Sequence, residues 1–389
     1  MFNKKRFISK NVALITYHNA LNYGSVLQAL ATQTAILNMG ATCKVIDYVL
    51  DTQKRIYATL HWDKDKNPVE YQNEINDLGP LYELKVTREK RFNSFIHKHL
   101  NLTARYNEFE PALNEINKYD VAISGSDQIL NRNTGEIGSL PMDYMRPYLV
   151  DAINPRKVSY ASSFANTTDE QLELIKPYLA KFDYFSVREM AWQEKISSCC
   201  KCKVEHVCDP TALLSKEEWV NYFHLKKKKN DKYIILFYTL YNYNFTIEKI
   251  KILLSILGKG HFELHIVAPF CEKSLSGIDP RIVECLDDGP QEFLNEIYNA
   301  DFIIPESFHG LMLSIILNKP FVCPCGTTGP ELRKMEVLEI TGLKDRWRGD
   351  FHEITLGDIY NDYDFTTANQ KLAKIREHSL NYLKKAIFD

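Results

Sequence analysis

Short β-branched runs alternate with stretches of helical spacing along this chain. Residues 12–16 read as a strand. Val26, Leu27, Leu30, Thr34 and Leu37 then recur at helical intervals, Gly40 stops the helix, and residues 43–48 read as a second strand. The chain thus opens with a βαβ unit. Further strands are expected at 121–124, 157–161, 184–187 and 204–207, with a helix at 170–181. Such alternation argues for a parallel sheet. A lysine run at 226–229 reads as a solvated linker. Beyond it the pattern starts afresh, with strands at 233–239, 264–268, 302–304 and 321–323 and helices at 247–257, 291–299 and 310–317. The expectation is an α/β protein of two Rossmann-like domains, residues 1–214 and 215–365, facing a cleft, with one long helix over 366–389.

Residues 51–118 are the least regular part. Their clearest helix runs over 88–100, where Phe92, Phe95, Ile96, His99 and Leu100 form a stripe and Arg88, Lys90, Arg91 and Lys98 lie between. An amphipathic helix packed on the first domain, with a solvated basic face, is expected; a membrane-surface helix is the alternative.

A length of 389 residues suits two domains, and 45% hydrophobic content can fill two cores. Forty-eight Lys and Arg against 50 Asp and Glu leave no field to hold nucleic acid. The apolar run after the basic start is too short for a signal peptide, so nine cysteines read as reduced thiols in the cytoplasm. Cys199, Cys200, Cys202, His206 and Cys208 lack the paired spacing of a zinc site, and no metal is expected.

Three strand-to-helix connections carry candidate chemistry. The first, with His18, Asn19, Asn22, Tyr23 and Gly24, is a ready anion or sugar site, or a tight bend shaped by Asn22 and Gly24. The second, with Ser126, Asp127 and Gln128, puts a carboxylate at a cleft edge, where it can orient or deprotonate a hydroxyl or simply cap a helix. The third, with Ser307 and His309, suits a phosphate contact or a proton carrier, a core histidine being the plainer alternative. Arg188 and Arg333 add cations suited to carboxylate or phosphate.

Taken in order, TYHNALNYGSVLQALATQ, VAISGSDQILN, YASSF, SVRE, CDPTALL with Trp219, and ESFHGLMLSIILNKPFV followed by GLKDR resemble the successive blocks of polysaccharide pyruvyl transferases, from about residue 12 to residue 346. One departure is Glu306, where that family usually has Asp, and the GTTG segment at 326–329 is also less family-like.

The resemblance implies a glycosyltransferase B-type fold, with the first domain on the acceptor side and the second on the donor side. It implies phosphoenolpyruvate as co-substrate, no other cofactor, and a sugar or lipid-linked oligosaccharide acceptor met in the cytoplasm or peripherally at the inner membrane face. His309 and Asp127 would be catalytic. Arg188, Ser307, His309 and Arg333 would bind the donor; His18, Asn19, Asn22, Tyr23, Ser126, Asp127 and Gln128 would bind the acceptor. A 4,6-ketal on galactose in capsular or exopolysaccharide synthesis is the leading expectation. The rivals are a B-type glycosyltransferase using a nucleotide sugar, for which no ribose-binding carboxylate stands out, and a non-catalytic carbohydrate-binding subunit.

Overall fold

Two parallel sheets organise the computed structural model, which describes residues 9–61, 64–275, 277–327 and 331–389. In the first, β1 (Asn11–Ile15), β2 (Thr42–Tyr48), β3 (Leu102–Tyr106), β4 (Val121–Ser124) and β5 (Arg156–Ser159) run in the order β3-β2-β1-β4-β5. Bridges from Val158 to Tyr184 and from Ser162 to Val187 continue it to β6 (Phe185–Val187), which pairs with β7 (Val204–His206). In the second, β8 (Tyr233–Tyr238), β9 (Phe262–Val267), β10 (Ile282–Glu284) and β11 (Phe302–Pro305) run in the order β10-β9-β8-β11. A bridge from Ile303 to Phe321 leads on towards β12 (Cys323–Pro324) and its partner β13 (Trp347–Arg348).

Both sheets wind outward from their first strand in one direction and then in the other. That is the doubly wound α/β arrangement, with its ligand crevice at the carboxyl ends where the strand order reverses. The reversal lies between β1 and β4 in one sheet and between β8 and β11 in the other.

The helices of the first half are α1 (Tyr23–Asn38), α2 (Asp51–Ile56), α3 (Pro68–Leu78), α4 (Leu81–His99), α5 (Phe109–Ile116), α6 (Asp169–Leu179), α7 (Gln193–Ser197) and α8 (Lys216–Phe223). Those that follow are α9 (Tyr243–Leu257), α10 (Pro290–Asn299), α11 (Phe308–Ile316), α12 (Leu332–Thr341), α13 (Leu356–Tyr360) and α14 (Thr366–Phe388).

Helix α1 carries no charged residue, and every position from Tyr23 to Gln33 is buried. A helix without a charged face can be surrounded by protein on all sides. Its polar members are satisfied locally: Gln28 donates to Thr16 Oγ1 at 2.8 Å and to the Ser25 carbonyl at 2.9 Å. Its first residue reaches the second half, where the Tyr23 hydroxyl donates to the Asp288 carbonyl at 2.9 Å and the ring stacks on Phe293 at 4.4 Å.

The region read as irregular, 51–118, contains α2 to α5 and β3. β3 is a half-exposed edge strand, and its sequence LTARY has no sustained apolar alternation to announce it. β10, another edge strand, is only three residues long, and the charged α12 lies outside the helices expected from the pattern. In α4, Phe92, Phe95 and Ile96 enter the core, so the stripe faces protein and not a lipid surface. Its basic face is only partly solvated. Arg88 donates to the Pro269 carbonyl at 2.8 Å, and Arg91 pairs with Asp287 at 2.8 Å, which makes α4 a second strut between the halves.

The last helix, α14, packs on α12 and also returns to the first half. There the Tyr382 hydroxyl donates to the Ser159 carbonyl at 2.8 Å, and Ser379 accepts from the Cys208 N–H at 2.9 Å. Among the described residues no helix is long and apolar enough to cross a membrane.

Tyr23→Phe removes the hydroxyl that crosses between the halves and should cost about 1 kcal/mol, the usual net worth of one hydrogen bond. Tyr23→Ala should cost about 3–5 kcal/mol, as for other buried aromatic truncations. Chemical denaturation of the three proteins side by side checks both values.

Candidate functional site

The connection after β4 turns at Gly125, whose φ of +125° and whose approach to Tyr160 exclude a side chain: a Cβ there would meet the Tyr160 carbonyl oxygen at 2.0 Å. Asp127 follows at φ +71°, a left-handed conformation that Asp tolerates better than most residues. Its Oδ2 accepts from Ser25 Oγ at 2.7 Å, and its Oδ1 from the Gln128 N–H at 2.9 Å. Burial by itself would raise the pKa of this carboxyl. The His309 ring, Arg188, the Ser25 hydroxyl and Arg333 together outweigh burial and hold it below the ordinary range.

His309 is the second residue of α11, a helix capped by Ser307, whose Oγ accepts from the Gly310 N–H at 2.9 Å. The ring lies directly against Gly24 of α1, where a Cβ would fall 2.0 Å from His309 Nδ1. Glycine at position 24 is therefore what admits the imidazole from the opposite half. Its Nε2 stands 3.5 Å from Asp209 Oδ2, an ion-pair separation and longer than a good hydrogen bond.

Arg188, at the end of β6, is almost wholly buried. Its Nε donates to Glu189 at 3.0 Å and one terminal nitrogen to Asp209 at 3.0 Å. Burial opposes the guanidinium charge, but Glu189, Asp209 and Asp127 more than restore it. Asp209 in turn accepts from both the N–H and the hydroxyl of Thr211. The His309 ring and Arg188 overcome the effect of its burial and hold its carboxyl well below the ordinary range.

Phe308 is the hub of the group. The Arg188 guanidinium lies 4.4 Å from its ring centroid, that of Arg333 5.3 Å, and the His309 ring 5.3 Å. Burial and repulsion from Arg188 lower the pKa of Arg333. One nitrogen on each of the three basic side chains, the second terminal nitrogen of Arg188, Nε of Arg333 and Nε2 of His309, is buried without a hydrogen-bond partner. An unpaired buried donor costs about 1–3 kcal/mol. A ligand bearing several anionic oxygens would remove that cost at all three.

Asp127, Arg188, His309 and Arg333 are thus brought together, and the other expected site residues are placed differently. His18 is buried, with Nε2 2.9 Å from Asp47 and Nδ1 3.2 Å from the Thr16 carbonyl, so both nitrogens are engaged within the protein. Asn22 caps α1, and Tyr23 belongs to the seam between halves. Ser126 donates to the Ala161 carbonyl at 2.6 Å, and Ser307 serves as the helix cap. Asn19 and Gln128 are half-buried. Glu306 pairs with Lys249, away from the arginine group. In the GTTG segment, Thr328 and Gly329 lie outside the described residues.

Reading the sequence for single motifs missed Ser25, Glu189, Asp209 and Phe308. Glu189 lies two residues beyond β6 and Asp209 three beyond β7, and that position near a strand end was the available signal.

Two cavities open one in each half, and neither is lined by Asp127, Arg188, His309 or Arg333. One of about 410 Å³ in the first half is bounded by Asn19, Gln53, Tyr57, Tyr71, Tyr82 and Asn93. The other, of about 430 Å³, opens beside Lys249, Glu306, Lys334 and His352 in the second.

The family model described as Polysaccharide pyruvyl transferase matches residues 22–323, well over half of the chain. No curated protein matches. Among solved structures the chain is similar to the glycosyltransferase SnogD from Streptomyces nogalater (11% identity, 97% of this chain and 98% of that one, TM-score 0.49). It is also similar to UDP-GlcNAc 2-epimerase from Methanocaldococcus jannaschii (13% identity, 95% and 92%, TM-score 0.48).

Gly24→Ala should displace the imidazole and destabilise the protein by about 1–3 kcal/mol, as overpacking does. Combining it with His309→Ala should recover most of that loss, a coupling that a thermal-melt double-mutant cycle would detect. Asp209→Asn strips the buried Arg188 of one partner and should cost about 3–5 kcal/mol at neutral pH. Because the folded-state pKa of Asp209 is lowered, its stabilisation is present above the unfolded carboxylate value of about 3.9 and is lost as pH falls through the folded value. Denaturation curves of wild type and variant should therefore converge in acid.

Proposed function

As a member of the polysaccharide pyruvyl transferase family, this chain, we propose, moves the pyruvyl group of phosphoenolpyruvate onto two hydroxyls of a hexose in a polysaccharide precursor. The observation that carries the donor assignment is the set of three unpaired buried nitrogens on Arg188, Arg333 and His309, gathered around Phe308 from both halves. Phosphoenolpyruvate carries a phosphate and a carboxylate on one carbon, and guanidinium groups recognise both. Arg188 already gives two of its nitrogens to Glu189 and Asp209, so it keeps one for the donor. Arg333 has no carboxylate within ion-pair distance among the described residues and is freer to follow the ligand.

The chemistry begins with a proton delivered to the methylene carbon, which leaves an oxocarbenium-like centre beside the carboxylate. A sugar hydroxyl adds there and gives up its proton; the C–O bond to phosphate breaks, and a neighbouring hydroxyl closes the cyclic ketal. Of the two hydroxyl protons, one balances the new methyl group and the other leaves with phosphate. His309 is assigned the proton traffic, its ring being steadied by Gly24 and faced by Asp209. Asp127 is kept ionised by its neighbours and is assigned to the attacking hydroxyl. The acceptor would approach through the first-half cavity beside Asn19, whose Tyr57, Tyr71 and Tyr82 offer sugar-stacking surfaces. Galactose at the end of a lipid-linked oligosaccharide, ketalated across its 4 and 6 hydroxyls at the cytoplasmic face of the inner membrane, is the proposed acceptor, in capsular or exopolysaccharide synthesis.

The second-half cavity favours one other reading, a nucleotide-sugar glycosyltransferase, because Lys249, Lys334 and His352 border a space of about 430 Å³ at the carboxyl edge of that sheet. Incubation with phosphoenolpyruvate and candidate acceptors separates the two. The expected result is phosphate release only when both substrates are present, together with the mass gain of one pyruvyl ketal. His309→Ala should lower turnover by about a hundredfold or more, the usual scale for general acid–base catalysis. His309→Gln should bind donor without recovering rate, and Asp127→Asn should lose turnover yet keep donor affinity by calorimetry. Turnover of nucleotide sugars with no phosphate released from phosphoenolpyruvate would overturn the assignment.

A further inference from the structure

On the far side of the α1 seam, β9, β10 and α10 bring a second set of reactive side chains together. His265 lies on β9, Cys285 directly follows β10, and Glu296 projects from α10. One ligand atom from each lies within 4.8 Å of the other two. His265 Nδ1 is 2.5 Å from Glu296 and 4.0 Å from Cys285 Sγ. Around a tetrahedral zinc, with bonds of about 2.0–2.3 Å, neighbouring ligand atoms stand about 3.3–3.7 Å apart. The two observed separations straddle that value, so small side-chain rotations would admit an ion.

Two neighbouring features fit a cation. The other ring nitrogen of His265 faces Glu263 at 3.4 Å, the carboxylate partner that orients a metal-bound imidazole and fixes which nitrogen is free to ligate. Asp288, only 8% exposed, keeps one carboxylate oxygen buried without a partner. Burial, together with Glu296, Asp287 and Glu292, pushes its pKa up to about 8 against the opposing charge of Arg91, 3.9 Å away. Glu296 has no Lys or Arg within ion-pair distance among the described residues.

We propose that Cys285 Sγ, His265 Nδ1 and the Glu296 carboxylate bind one divalent transition-metal ion of the zinc class, with a fourth position open to water. The mixed thiolate, imidazole and carboxylate set suits zinc or cobalt better than magnesium or calcium, which prefer oxygen ligands alone. Binding releases the thiol proton. The ion tethers two strands and a helix beside the segment whose Asp288 carbonyl receives the Tyr23 hydroxyl, so its role is to stiffen the second half where α1 leans on it. Transfer chemistry needs nothing from this site, which involves neither Arg188 nor His309.

The test uses the full chain, purified without chelator, loaded with zinc or cobalt and dialysed. Wild type should retain one equivalent by elemental analysis, and the cobalt form should show thiolate-to-cobalt absorption and tetrahedral visible bands. Zinc should also protect one thiol from alkylation, identified as Cys285 by peptide mass. Cys285→Ser should lose the absorption and weaken binding at least a hundredfold, with Glu296→Gln as a second variant should the serine protein fail to fold. A Cys200→Ser, Cys202→Ser control should keep both signals, because those thiols lie elsewhere. Failure of wild type to retain metal, absorption that survives Cys285→Ser, or equal alkylation of Cys285 with and without zinc would overturn the proposal.

Discussion

A guanidinium withdrawn from water must be surrounded by opposite charge, and the buried Arg188 imposes that requirement on the centre of this protein. Glu189 supplies one carboxylate from the adjacent position, and Asp209 supplies the other from beyond the neighbouring strand. Asp209 also faces His309 of the second half, while the face of Arg188 rests on Phe308. One buried cation therefore connects two strand ends of the first sheet to a helix start of the second. Residues that would otherwise be remote share a single electrostatic environment.

That connection is feasible only because α1 lets the halves approach. The helix is buried along most of its length, and it meets its partners with small or apolar groups: Gly24 against the imidazole, and Tyr23 against Phe293. Asp127, after β4, and His309, after β11, stand at the strands where the order of each sheet reverses. Arg88 and Arg91 of α4, and the return of α14 onto the first half, add polar ties away from the Arg188 cluster.

The site combines pairing with deliberate shortfall. Asp127 and Asp209 are surrounded well enough that both stay ionised against the effect of burial. One nitrogen each of Arg188, Arg333 and His309 is not satisfied by protein. Unpaired buried donors are a stability cost, and three of these side chains meet around Phe308. Away from it, unpaired buried nitrogens occur singly, on Arg88 and on Arg346.

Periodicity made the two parallel halves and most of their central strands legible, because a buried strand must be apolar and a helix packed on it must repeat every three or four residues. The edge strands β3 and β10 left little pattern, since exposed pairing edges need no apolar run. Candidate side chains were legible where a motif marked a strand-to-helix connection, as with Asp127 and His309. Their partners were not: residue types and local spacing cannot say that Gly24 and His309, 285 positions apart (309 − 24), share one contact, or that His18 turns inward to Asp47 while Asp209 turns toward the arginines. The sequence by itself determined the central buried strands and the helices packed on them, because their apolar periods depend on neighbours along the chain. Only the tertiary structure decided which polar groups are consumed in holding the fold together and which remain unpaired, because burial and hydrogen-bond pairing depend on neighbours in space.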